Sequence, residues 1–340
     1  MASQHIRAII VIISLVGGYA SAAEPISPKV DSAIVRGLEY LALQQKPSGA
    51  FDDQGPKVAI SALSLMSFMA SGHVPNDGRY GQTLRRGLDY LVESFPEDGY
   101  VGKVDNSRMY GQGVITLAIA EAYGIEPDPA RQAKMKKVLM RSVEVILKSQ
   151  QVKKDDNHAG GWRYEPGSPD SDLSLSGWNA LALRSCNNIG ISVEREVIDR
   201  AAKYVLRCYN KDQKAFAYQP QSQASPGMTG VGILNLCLMD RMDAPEVQAA
   251  SGYLAAAKLN DDTRFTYYSF YYVTHAAYQL GDPLWPPLWK MSSDYLVSRQ
   301  QDDGGWPKSR SGEEPGRTYA TAMAILTLST PNGLLPVHQR

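Results

Sequence analysis

The feature that most constrains this chain is that it repeats itself. Arg36-Gly37-Leu38-Glu39-Tyr40-Leu41 returns as Arg86-Gly87-Leu88-Asp89-Tyr90-Leu91, with weaker echoes starting at Arg141 and Arg200 and around Tyr253 and Tyr295. Aligned on the tyrosine or its substitute, there are six units. Each has a charged amphipathic stretch, a Gly-rich loop that often carries Asp, and a second stretch rich in Ala, Leu, Ser and Tyr. The second stretches are Val58–Ala70, Gly113–Tyr123, Leu173–Ile189, Gly230–Met239, Thr266–Leu280 and Thr318–Leu328. Runs of good helix formers without internal proline read as helices, and an apolar character on most sides requires enclosure on most sides. A repeated helix pair cannot bury its apolar face alone, so neighbouring units must stack. Six units, with first helices outside and second helices inside, predict an all-α (α/α)6 toroid. An open superhelix satisfies the same pattern less well, because six units allow closure.

Composition fits that reading. Apolar residues make up 44% of the 340-residue chain and charged ones 21%, as in a folded protein. Acidic and basic residues balance at 35 each, which gives no overall field for nucleic acid. Residues 1–23 differ from the rest: Arg7 precedes the apolar run Ala8–Val16, and Ala20-Ser21-Ala22-Ala23 follows. This is the pattern of a signal peptide cleaved after Ala22 or Ala23, with a core too short for a membrane span. The expectation is an exported, periplasmic or secreted toroid over 24–340 with no transmembrane segment. Cys186, Cys208 and Cys237 lack metal-site spacing and read as small core residues, with a disulfide between two of them left open.

Three units carry a tighter signature. The last reads Tyr295-Leu296, then Gln300, then Gly304-Gly305-Trp306; the first has Tyr40-Leu41, Gln45, Gly49 and Phe51. The third keeps Gln150 and, after an insertion, Gly160-Gly161-Trp162, whereas the second has Asp98-Gly99-Tyr100 without the Gln. This spacing resembles the QW repeat of the prenyltransferase and squalene-oxidase type found in squalene and oxidosqualene cyclases. The resemblance implies the toroid of terpenoid cyclases and protein prenyltransferases. Physically, the Gln can satisfy backbone groups left open at helix ends, the glycines allow the sharp turn, and the aromatic ring covers the joint.

The catalytic signatures of those families are absent. The nearest string to D-x-D-D is Asp170-Ser171-Asp172-Leu173, and neither Pro226-Gly227-Met228 nor Thr266-Tyr267-Tyr268 supplies zinc ligands. No metal or cofactor is therefore expected, and His275 reads as a core or cavity-wall residue. Each inner helix follows a Gly-rich loop, so all six inner N-termini should ring one mouth, with Arg108, Tyr110, Asp170, Asp172, Met228, Tyr267, Tyr268, Arg317 and Tyr319 around it. Asp170 and Asp172 read either as helix caps or as an acid–base pair. In Phe265–Tyr272, helical spacing puts Tyr267 with Tyr271, and Tyr268 with Tyr272 and His275. Together with Tyr110, Trp178 and Tyr319 they are candidates to line a central cavity. Asp302, Asp303, Glu313 and Glu314 read as a solvated loop.

Four functions are compatible with this pattern. They are a binder of an apolar, isoprenoid-type ligand, a terpenoid-type enzyme using Asp170 or Asp172, a carbohydrate-active enzyme with a carboxyl pair, and a non-catalytic scaffold.

Overall fold

A computed structural model describes residues 26–51 and 53–339; the proposed signal segment lies outside them. Among the described residues twelve α-helices follow one another: α1 (Pro28–Gln44), α2 (Lys57–Ala70), α3 (Gly81–Glu93), α4 (Arg108–Tyr123), α5 (Pro129–Gln151), α6 (Leu173–Asn188), α7 (Arg195–Arg207), α8 (Pro226–Leu238), α9 (Pro245–Ala255), α10 (Thr266–Leu280), α11 (Trp285–Arg299) and α12 (Arg317–Leu328). A two-residue antiparallel pair, Tyr209–Asn210 with Ala215–Phe216, decorates the loop before α8. The even-numbered helices pack in sequence order, and α12 returns to α2, which closes the inner ring. The odd-numbered helices lie outside it. The expected toroid is present, and every inner helix starts within five residues of its expected position.

The division between rings follows from burial. On α2 every residue from Val58 to Ala70 is buried, whereas outer α7 buries one stripe, Val197, Ala201, Ala202, Tyr204 and Val205. A fully enclosed helix tolerates hydroxyls only if they are satisfied locally. Ser61, Ser64 and Ser67 donate to the carbonyls of Lys57, Ile60 and Leu63 at 2.6, 2.9 and 3.0 Å. Glycine lets two inner pairs approach closely. A Cβ on Gly113 would come within 2.9 Å of the Trp178 backbone, and one on Gly230 within 2.7 Å of Tyr272's.

The Gln–Gly–aromatic signature builds the same staple three times. Gln45 Nε2 donates to Gly49 O at 3.1 Å and to Thr83 O at 2.9 Å. Gln150 does so to Gly160 O and Val197 O, both at 2.9 Å, and Gln300 to Gly304 O and Ala33 O, both at 2.8 Å. Each glutamine thus ties its own loop to the N-terminal part of the next outer helix. The last does so across the closure from α11 to α1. Backbone N–H groups of Phe51, Trp162 and Trp306 donate to Ser61, Ser176 and Thr321 hydroxyls on the following inner helices, at 2.9, 2.9 and 3.0 Å. Gly49, Gly160 and Gly304 sit at φ of 92°, 88° and 87°, where an L side chain is strained. In the second unit, inner-helix Gln112 replaces the missing glutamine and donates to Gly99 O at 2.9 Å.

Among the described residues no disulfide is formed: Cys186, Cys208 and Cys237 are buried as thiols. Among the described residues, too, no helix is long and apolar enough to cross a membrane.

Candidate functional site

The six inner N-termini open on one face, and their caps come largely from the neighbouring unit. Asp105, just before α4, accepts from Val58 and Ala59 N at the start of α2, at 2.8 and 3.1 Å. Glu314, just before α12, accepts from Tyr267 and Tyr268 N of α10 at 3.2 and 2.9 Å. Asp53, before α2, accepts from Tyr319 N of α12 at 2.7 Å. The Tyr164 and Tyr218 carbonyls serve Met109 N of α4 and Leu173 N of α6, at 3.0 and 2.8 Å. Carboxylates at helix N-termini complement the free N–H groups and the dipole, so most of the acidic residues at this mouth hold the ring together. Glu314 corrects the solvated-loop expectation: it is 4% exposed, and burial raises its pKa. Asp303 pairs with Arg317 and Glu313 with Arg264, as surface contacts.

Inside this rim is a cleft of about 370 Å³. Its lining is aliphatic at Ala59, Ile60, Leu63 and Val114 and aromatic at Tyr110, Tyr164, Trp178 and Tyr319. Pro56, Pro315, Asn106, Ser107 and Arg108 complete the lining. Its volume falls at the lower end of ordinary ligand sites. Arg108, at φ 57°, pairs with Glu165 at 3.3 Å beside the entrance.

Three expected residues therefore line the cleft: Tyr110, Trp178 and Tyr319. Tyr268 lies beneath it, buried, its hydroxyl 2.8 Å from Ser174 Oγ, which donates to Tyr110 Oη at 3.3 Å. The centre of the ring below is filled rather than hollow. Trp178 stacks on Tyr271 with centroids 5.8 Å apart, and Tyr271 Oη lies 2.8 Å from His338 Nε2. His275 stacks on His338 at 4.1 Å. The C-terminal segment thus seals the far end, where Val337 N donates to buried Glu121 at 3.2 Å and Gln279 donates to His338 O at 2.7 Å. Tyr267 departs from the expected pairing with Tyr271. Its hydroxyl donates to Pro307 O at 2.7 Å, away from the centre, and His275 pairs with Tyr271 rather than with Tyr268. A helix of 3.6 residues per turn rotates i and i+4 by some 40°, enough to send Tyr267 and Tyr271 to different neighbours.

Neither Asp170 nor Asp172 lines the cleft. Asp170 is a loop residue 3.5 Å from Arg163. Asp172 is fully buried and caps α6, accepting from Leu175 N at 2.9 Å and from Tyr218 Oη at 3.0 Å, with Arg163 at 3.5 Å. Burial pushes its carboxyl up to about 7, against the pull of the Leu175 amide, Arg163 and Tyr218. Tyr218 Oη lies 2.9 Å from Tyr164 Oη, so a hydrogen-bond chain runs from Asp172 to the wall of the cleft. Met228 does not line the cleft. Sequence reasoning missed Tyr164, Asp53, Asp105 and His338. The legible signal was an acid a few residues ahead of an inner helix, seen at Asp53, Asp105 and Glu314.

No family model and no curated protein matches the sequence. Solved structures do match in shape. The GH76A α-1,6-mannanase of Salegentibacter sp. HEL1_6 superposes with a TM-score of 0.68 at 12% identity, over 90% of this chain and 99% of that one. The type II terpene cyclase MstE from Scytonema does so with a TM-score of 0.59 at 12% identity, over 91% and 100%. A protein from Actinoplanes gives 0.62 at 13%, over 89% and 99%. The fold is an α/α toroid. At such identities the likeness concerns the fold and leaves chemistry to the residues above.

Proposed function

We propose that this protein is exported and binds an apolar, isoprenoid-type ligand in the cleft at the toroid mouth. The observation that carries the proposal is the lining: it combines aliphatic with aromatic side chains, and no Asp or Glu is among the described residues that form the cleft. A prenyl chain would bury its methyl groups against Ile60, Leu63 and Val114 and lay its double bonds over Tyr110, Trp178 and Tyr319, while Asn106 and Arg108 receive a polar end. A toroid of similar fold, a variant of the terpene cyclase MstE, has been solved with geranylgeranyl dihydroxybenzoate as substrate.

The carbohydrate-active alternative draws on the mannanase likeness; a variant of that enzyme was solved with α-1,6-mannotriose. It needs two carboxyls facing each other across an open cleft, roughly 5 to 9.5 Å apart. The acids at this mouth are engaged as caps and ion pairs, which favours the apolar reading.

The test is titration of the purified protein with farnesol and geranylgeraniol, read by tryptophan fluorescence, since Trp178 forms part of the wall. Saturable binding is expected, and Ala59→Trp, which fills the cleft from α2, should weaken it at least about tenfold while the melting temperature confirms a folded protein. Binding of neither alcohol, or equal binding by the filled variant, would refute the proposal. Export has a separate test. The mature protein from a periplasmic fraction is expected to begin at Ala23 or Glu24; recovery only of a chain beginning at Met1 in the cytoplasm would reject it.

A further inference from the structure

The carboxylate of Asp172 divides its two oxygens between α6 and the wall of the mouth cleft. Oδ1 accepts from Leu175 N at 2.9 Å, and Oδ2 accepts from Tyr218 Oη at 3.0 Å. Tyr218 Oη lies in turn 2.9 Å from Tyr164 Oη, a pair in which either hydroxyl can donate. The chain therefore starts at a residue with no solvent exposure and ends on a side chain, 39% exposed, that lines the cleft. Both tyrosines are anchored. Their carbonyls accept from Met109 N and Leu173 N, and the Arg163 guanidinium lies 5.0 and 5.4 Å from the centroids of their rings.

A carboxyl and two hydroxyls in a row have two consistent orders of donation. Ionised Asp172 can only accept, so Tyr218 donates to it and takes the Tyr164 hydrogen on its own oxygen; Tyr164 then offers lone pairs to the cleft. Protonated Asp172 carries its hydrogen on Oδ2, because Oδ1 accepts the Leu175 amide. It donates to Tyr218, Tyr218 donates to Tyr164, and the Tyr164 hydrogen is left free. The groups that face Asp172 are Arg163 at 3.5 Å, with Asp170 on its other side, Tyr218, Tyr204 and Cys208 at the end of α7, and Tyr110 of α4. Burial raises all three phenols and the Cys208 thiol, so they keep their protons in the range around 7 where Asp172 exchanges its own.

We propose that Asp172 sets, through Tyr218, whether the Tyr164 hydroxyl presents a hydrogen or a lone pair to the cleft, and so which polar end of a ligand the mouth prefers. In mild acid the wall donates and favours a group that only accepts, such as an ether; in mild alkali it accepts and favours a hydroxyl. Asp172 and Tyr218 are positioning residues, since neither lines the cleft. The preference among ligands rests on the isoprenoid reading of the cleft; the order of donation does not.

The experiment labels the tyrosines of the full chain with 13C at Cζ and follows the Tyr164 resonance, assigned by its loss in Tyr164→Phe, from about pH 5.5 to 8.5. It should move through one transition. Asp172→Asn should hold it still: the asparagine keeps its oxygen on Leu175 N, so its NH2 faces Tyr218 and fixes the order that acid produces. Tyr218→Phe keeps the Asp172 charge but cuts the chain, and should also abolish the movement in a protein that still melts cooperatively. His158 accepts from Ser171 N at 3.1 Å, beside Asp172, and His158→Gln should leave the transition in place. A resonance that does not move, or that moves equally in Asp172→Asn or Tyr218→Phe, would overturn the proposal. Ligand preference is read by tryptophan fluorescence: relative to farnesol, farnesyl methyl ether should bind about three- to tenfold more tightly at pH 6 than at pH 8.5, and Asp172→Asn should remove that difference. A flat ratio in a protein that binds both would overturn the preference. A Tyr164 transition in a protein that binds neither would sustain the order of donation and refute the isoprenoid reading instead.

Discussion

Trp306→Ala should destabilise the protein by about 3–5 kcal/mol, the range for removing a buried aromatic side chain. Trp306 is fully buried, and its indole N–H donates to Leu296 O at 2.7 Å. Its ring lies against Gly37 of α1, where an added Cβ would sit 2.8 Å from Cζ3. The residue therefore stands at the joint between the last unit and the first, and its loss opens a cavity where the ring closes. Urea unfolding measures the effect. Phe51→Ala deletes the smaller ring of the corresponding position in the first unit and should cost less. Equal effects at the two positions would mean that closure carries no special burden.

The second large effect is a dependence on pH. Asp172 and Glu121 both titrate near 7 in the folded protein because burial penalises their charged forms. A carboxyl whose folded pKa lies above its unfolded value contributes stability that is complete at low pH and is lost as pH rises through the folded value. Each pKa unit of displacement corresponds to about 1.4 kcal/mol. The wild type should thus lose a few kcal/mol of these contributions between about pH 4 and 8. Asp172→Asn keeps an acceptor for Leu175 N without a charge, so its unfolding free energy should fall less over that interval. An identical slope in the variant would show that Asp172 is ionised when folded. His275 and His338 act in the opposite direction. Burial lowers both, His338 to about 3, so their contribution is complete above the ordinary histidine value of 6.5 and is lost as pH falls below it. His338→Phe should therefore reduce the loss on the acid side, at the cost of the contact with Tyr271.

The chain's own pattern determined the architecture. The repeat, the apolar inner stretches and the Gln–Gly–aromatic spacing are local, periodic features, and periodicity alone fixes which faces must be buried. The staples at Gln45, Gln150 and Gln300 were legible for the same reason, since each glutamine stands at the end of an outer helix ahead of a Gly–aromatic loop. Asp172 as a cap could also be read, from its place ahead of an apolar run.

What tertiary structure decided is whatever one unit contributes to another. Asp53, Asp105 and Glu314 look like loop acids in sequence; only ring packing brings them to the helix of the preceding unit in the ring. The tyrosine run was visible, but its division was not: Tyr267 pairs with the last Gly-rich loop, Tyr268 with Ser174, and Tyr271 with His338 at the far end of the chain. The C-terminal residues that fill the ring carry no periodicity that announces their destination. Whether the centre was open or filled depended on side-chain volumes from six helices meeting at one axis, and no single segment encodes that sum. The cleft along the ring's axis therefore lies at the mouth, where the inner helices begin.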